Sequence, residues 1–259
     1  MISRPRNTGQ IPVQREYTTD PLAMLRVSDT LNQIALKLGD IGTVIRPGQS
    51  IERAIAGLGT DGGRILLSEG TYPIEASITV SHPNVSIVAI SPHRTLIKRT
   101  ITTALPLIKV TSDYVMISGI RFDDSNATAA AVQLEGDYAS VSNCRFDDCY
   151  NAVVVRGEWC RVSDNLVVSA DNHAIHATST ARQTQITGNR IVSVVAVPPV
   201  YAVRVDGVTP GAVIIGNVFD ESNANGTASY SGSAVNNVAR GANAGASSAS
   251  NMANTYNEY

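Results

Sequence analysis

What this sequence has little of narrows it first. Its three cysteines, Cys144, Cys149 and Cys160, are too few and wrongly spaced for a disulfide framework or a zinc site. They read as buried free thiols, and a reducing cytoplasm is the expected place of synthesis. Charge is sparse: 16% of residues are ionised, the net charge is −2, and the Lys and Arg are scattered. No polyanion-binding surface, and so no nucleic-acid partner, is expected. No apolar run approaches the roughly 18 residues of a membrane span, so no membrane insertion is expected either. The opening MISRPRNTGQ lacks the apolar stretch of a secretory leader. No glycine-rich phosphate loop, nucleophile elbow or metal-ligand cluster occurs, and no cofactor is expected.

What is present is an apolar fraction of 43%, enough for a continuous core in 259 residues. Residues 1–19 are polar, with Pro5, Gly9 and Pro12, and read as an extended arm. A helix follows, with Asp20 as N-cap, Pro21 at the first helical position and Gly39 as terminator. Within it Met24, Val27, Leu31, Ile34 and Leu38 are spaced 3, 4, 3, 4, a heptad seam two heptads long that would join parallel chains, as in a homotrimer. Leu22, Leu25 and Leu36 widen the apolar surface, so an amphipathic helix lying on the next domain stands beside that reading.

From Thr43 the pattern changes. Ser50 can cap a short amphipathic helix carrying Ile51, Ala54, Ile55 and Leu58. Strand-like RILLSEG and the alternating Ile74, Ala76, Ile78, Val80 come next. Beyond Asp113 a repeat is explicit: DYVMISGIRFDDSN and DYASVSNCRFDDCY match almost residue for residue. Weaker copies follow, and the series aligns on Ile117, Val141, Val162, Ile186 and Ile214 at nearly even intervals. A second strand keeps pace, centred on Val132, Val153, Ile175 and Val203. A period of roughly 20 to 30 residues marks a solenoid, and the Val, Ile, Ser and Asn content favours strands. Asn165, Asn189 and Asn217 fall at one position of the repeat, directly after Asp164, Gly188 and Gly216, and are expected to form a hydrogen-bonded ladder. The expected fold is all-β, a right-handed parallel β-helix with a short N-terminal α-helical segment and a capping helix. The division expected is residues 1–42 for arm and helix, 43–221 for the β-helix, and 222–259 for a tail dominated by Ser, Asn, Ala and Gly. A solenoid end needs covering, which such a tail could do.

The segment RPGQSIERAIAGLGTDGGRILLSEGTYPIEASITV resembles the opening of the pectate-lyase-like β-helix superfamily. Ile51 to Leu58 match its capping helix, and Gly70, Thr71 and Tyr72 match the "GTY" element that begins its first coils. With the downstream repeats the resemblance spans roughly residues 43 to 220. It implies the fold more than an activity, because the superfamily holds lyases, hydrolases, epimerases and binding proteins. The arm, seam and polar tail look most like bacteriophage tailspikes and related virion proteins. That likeness implies a homotrimer in the virion, assembled in the host cytoplasm and bound to other virion proteins through the arm. Depolymerising tailspikes carry more coils and a separate trimerisation domain, a departure that weighs against enzyme activity.

Glycan cleavage needs converging carboxylates. The candidates are Asp123 with Asp124 and Asp147 with Asp148, at equivalent places in consecutive coils. Stacking would bring like charges within about 5 Å and raise one pKa, whereas a plain reading makes them turn residues capping backbone N–H groups, without basic residues beside them. His173 and His176 are expected to face opposite sides or lie at a bend, in structural roles. Trp159 and Tyr150 could stack on a sugar ring. Three functions follow in order: a structural or receptor-binding phage spike with a host glycan as its ligand, a decoration or cement protein of the capsid, and a polysaccharide-degrading enzyme using Asp123 and Asp147.

Overall fold

The computed structural model describes residues 42–125, 128–192, 201–206 and 212–220, together with five short strands between 225 and 258. The proposed N-terminal helix and its seam, Met24, Val27, Leu31, Ile34 and Leu38, lie outside the described residues. The chain divides into units 1–41 and 42–259, and every described residue belongs to the second.

That unit opens with the short strand Thr43–Ile45 and a helix, Ile51–Ala56. Ser50 is the N-cap: its hydroxyl accepts the backbone N–H of Arg53 at 3.0 Å, and Ile51 and Ile55 are buried beneath. From Gly63 the backbone winds through seven complete three-strand coils, and its strands align into parallel sheets of ten, nine and seven members, here sheets I, II and III. In the fourth coil, for example, Ser140–Ser142 lies in sheet I, Arg145–Asp147 in sheet II and Cys149–Val155 in sheet III.

The inward residues explain the winding. Ile65, Ile87, Ile117, Val141, Val162, Ile186 and Ile214 stack in one unbroken column on sheet I, all fully buried. Sheet III carries Ile108, Val132, Val153, Ile175 and Val203. Sheet II carries Tyr72, Ile97, Phe122, Phe146 and Val167, with the two phenylalanine rings stacked at 5.0 Å. Each fully buried side chain of this kind contributes about 1.5–3 kcal/mol, so a chain poor in aromatics still has a core made of aliphatic columns. The Tyr72 hydroxyl donates to the Ile45 carbonyl at 2.8 Å, which ties the GTY element to the first strand.

The turn from sheet I to sheet II repeats one backbone conformation. Gly119, Asn143, Asp164, Gly188 and Gly216 all have positive φ, between 51° and 75°, where glycine, asparagine and aspartate are least disfavoured. The next residue points inward, and from the fifth coil it is asparagine. Asn165 Nδ2 donates to Asn189 Oδ1 at 3.0 Å, and Asn189 Nδ2 to Asn217 Oδ1 at 2.9 Å. Each oxygen also accepts the backbone N–H of the preceding coil, from Cys144, Asn165 and Asn189 in turn. Each nitrogen donates in addition to a carbonyl of that coil: Val141, Val162 or Ile186.

The low-complexity tail contributes strands to the same ladders. Gly232–Val235 pairs with Ala212–Ile215, and Val238–Arg240 with Val218–Asp220, before Met252–Ala253 and Tyr256–Glu258 add one more layer. In register, Ala234 pairs with Ile214 and Met252 with Ala234.

Cys144, Cys149 and Cys160 are free and buried in the core. Burial pushes the Cys144 and Cys160 thiols up to about 12 and raises Cys149 as well. A thiol-specific chromogenic reagent is therefore expected to label none of them in the native protein and all three in denaturant; rapid labelling of a native thiol would contradict this.

Candidate functional site

Strand alternation puts Arg121, Asp123, Arg145 and Asp147 on the outer face of sheet II. Asp123 and Asp147 are partners in adjacent coils, yet each carboxylate is already engaged. Lys98 Nζ lies 2.7 Å from Asp123, while Arg121 Nε and Arg145 Nε lie 2.5 and 2.8 Å from Asp147. Partial burial works against ionisation of Asp123, but Lys98 and Ser125 hold its carboxyl below the ordinary value. The following residues diverge. Asp124 turns into the lumen, fully buried against Arg99, whereas Asp148 occupies a left-handed corner, φ 49°, and is exposed. Burial raises Asp124 to about 6 despite the Arg99 guanidinium. It has no surface from which to meet a substrate. Expected to lack basic neighbours, these acids do have them: Lys98 of the preceding coil pairs with Asp123, and Arg121 and Arg145, on the same outer face, both pair with Asp147.

A different cluster forms along sheet III, with His173 buried and His176 partly exposed. The two rings of His173 and His176 meet edge to face at 5.2 Å, and the strand carrying them is irregular: its register against Cys149–Val155 shifts between Ala170 and His173. The strand Tyr201–Val205 sets Arg204 beside His176, and Asp206 follows on the same face. Asp206 joins them, with Oδ2 at 2.7 Å from His176 Nε2 and Oδ1 at 2.6 Å from Arg204 Nε. Arg204 Nη1 lies 3.2 Å from His173 Nε2. Because a guanidinium only donates, that nitrogen of His173 accepts, and the network assigns His173 its neutral Nδ1–H tautomer. Asn151 Oδ1 accepts the His173 backbone N–H and the Asn172 amide, tying this irregular stretch to the coil before. Burial acts against the Asp206 charge, but bonds from His176 and Arg204 hold its carboxyl below the ordinary range. The arrangement orients an imidazole with a carboxylate and places a guanidinium beside it, the elements of proton transfer and of binding a polar ligand. Neither Arg204 nor Asp206 stands out in the sequence, since both lie a full coil further along the chain than His176.

Trp159 stacks on Tyr138, one coil back. Among the described residues no group of three or more His, Cys, Asp or Glu is placed to hold a metal ion, and no helix is long and apolar enough to cross a membrane.

Fold and outer faces together define a parallel β-helix protein. Residues 74–197 match the family described as "Right handed beta helix region", which gives the coil its hand. No curated protein matches the chain. Solved structures resemble it in fold at low identity. A mannuronic acid specific polysaccharide family 6 lyase from human gut microbiota aligns with 76% of this chain and 53% of its own, at 13% identity and a TM-score of 0.57. Escherichia coli YbhC aligns over 78% and 72%, at 10% identity and 0.54. ORF18 of Geobacillus virus E2 aligns over 90% and 63%, at 15% identity and 0.44. The chain thus spans 63% of the viral protein and 53% of the lyase.

Proposed function

We propose that the chain is a structural or receptor-binding spike of a tailed bacteriophage virion, with the β-helix as its rigid shaft. One observation carries the structural half: the acidic residues best placed for glycan cleavage are spent on the shaft itself. Lys98–Asp123, Arg121–Asp147 and Arg99–Asp124 each link adjacent coils. The virion half rests on the ends of the sequence, namely the polar arm, the heptad seam from Met24 to Leu38 and the Ser/Asn/Ala/Gly-rich tail. The mass of the intact protein in solution is expected to be that of three chains; a monomer would remove the trimer. Imaging of the particle should show a few copies at the tail, attached through residues 1 to about 40. Many copies across the shell would make it a capsid decoration protein instead.

The His173–His176–Arg204–Asp206 cluster favours a second reading, a polysaccharide-degrading enzyme of the same fold. In that reading His176, oriented by Asp206, moves the proton, in place of Asp123 and Asp147. Release of oligosaccharides from host capsule or lipopolysaccharide by the native chain, abolished in His176→Ala and retained in Asp147→Asn, would establish it. No cleavage of any host glycan would leave the spike.

A further inference from the structure

The turns from sheet III back to sheet I carry a row of residues that neither the core nor the cluster uses. Asn84, Tyr114, Tyr138, Trp159 and Gln183 share one left-handed conformation, with φ from 56° to 58°. They also share one hydrogen bond: the backbone N–H of Asn84, Tyr114, Tyr138 and Trp159 each donates to the residue before its counterpart in the next coil. Asn84 and Gln183 show that this position does not require an aromatic. Bulky side chains are disfavoured at positive φ, so three consecutive aromatic residues are there for what their rings do.

The rings form one strip. Tyr114 and Tyr138 stack at 4.9 Å and 6°, Tyr138 and Trp159 at 6.2 Å and 8°. They remain 57%, 47% and 51% exposed, so the strip is a surface rather than a second core. At 6.2 Å the Tyr138 and Trp159 rings are further apart than the 4.9 Å of Tyr114 and Tyr138, so their faces are less closely covered by one another. Preceding each ring in sequence is an acid: Asp113, Asp137 and Glu158. The acids are held in register, since Asp113 Oδ1 accepts the Asp137 N–H and Asp137 Oδ1 accepts the Glu158 N–H, both at 2.8 Å.

Ring surface beside fixed carboxylates suits a pyranose, which offers an apolar C–H face and hydroxyl donors. The carboxylates repel an anionic polymer. We propose that Asp113, Tyr114, Asp137, Tyr138, Glu158 and Trp159 form a binding strip for an uncharged saccharide chain, lying along the coil axis with about one sugar per coil. The proposal rests on the receptor-binding reading and gives it a location.

Trp159 is the only tryptophan in the chain, so its emission reports directly on the strip. The intact protein is titrated with cello-, malto- and chito-oligosaccharides, and with a polyuronate as contrast. At least one neutral series is expected to shift the emission saturably, and the polyuronate to leave it unchanged. Tyr138→Ala and Asp137→Asn, checked for an unaltered melting profile, should each weaken binding tenfold or more by calorimetry. Should Tyr138→Ala unfold, Tyr114→Ala, at the end of the stack, replaces it. Saccharide binding undiminished by these variants overturns the strip and leaves the receptor reading standing. Absence of binding to every neutral series overturns the strip, and absence of adsorption to host cells by the same protein overturns the receptor reading separately.

Discussion

Replacing Asn189 by alanine is expected to lower stability by roughly 3–5 kcal/mol, far beyond the value of one hydrogen bond. Asn189 sits in the middle of the ladder, and its side chain serves four partners. Its oxygen accepts both the backbone and the side-chain N–H of Asn165, and its nitrogen donates to Val162 and Asn217. Truncation takes the acceptor from the Asn165 backbone N–H and from one Asn165 Nδ2–H, and the donor from the Val162 carbonyl, where water does not reach, and each stranded donor costs about 1–3 kcal/mol. Leucine would fill the space and fail equally. The measurement is urea unfolding of Asn165→Ala, Asn189→Ala and the pair. The two changes should be non-additive, because both delete the same bond, Asn165 Nδ2 to Asn189 Oδ1. Additive losses below about 0.5 kcal/mol each would show that the ladder contributes little.

The second large effect belongs to Asp124 and Arg99. Asp124→Ala should cost about 3–5 kcal/mol near neutral pH, since it leaves a guanidinium in the lumen without its counter-charge. The double variant Arg99→Met, Asp124→Leu should be close to the parent in stability or above it, because the pair's desolvation offsets its attraction. The pH dependence follows from the raised carboxyl. Its folded value of about 6 exceeds the ordinary 3.8, so the folded state takes up the proton more readily. The contribution is complete below 3.8 and is lost as pH rises through about 6. Melting temperatures of parent and double variant, compared from pH 3.5 to 7, should therefore converge or cross with the parent losing ground upward. A parent that gained on the double variant with rising pH would reverse the assignment.

The coil positions were readable because inward residues obey one rule in every turn: Ile117, Val141, Val162, Ile186 and Ile214 are chemically alike, so repetition exposes them. Asn165, Asn189 and Asn217 repeat for the same reason. Outward positions carry no such constraint. Val154, His176 and Arg204 occupy equivalent places and share nothing, so a cluster built across them leaves no periodic trace. Two features could have been found by counting. Arg121 with Asp123 and Arg145 with Asp147 are two apart in strands, and so on one face. Trp159 follows Tyr138 by the same interval that carries Val141 to Val162. In a solenoid the neighbour in space is one turn away along the chain.

The parallel ladders also have a mechanical meaning. Every sheet hydrogen bond runs between coils, along the axis of the stack, while the covalent backbone runs around it. A pull along that axis first loads the non-covalent bonds between coils, with all three sheets sharing the load at each junction. A sideways load meets the covalent backbone of each coil. The asparagine ladder adds its side-chain bonds in that same axial direction, between coils.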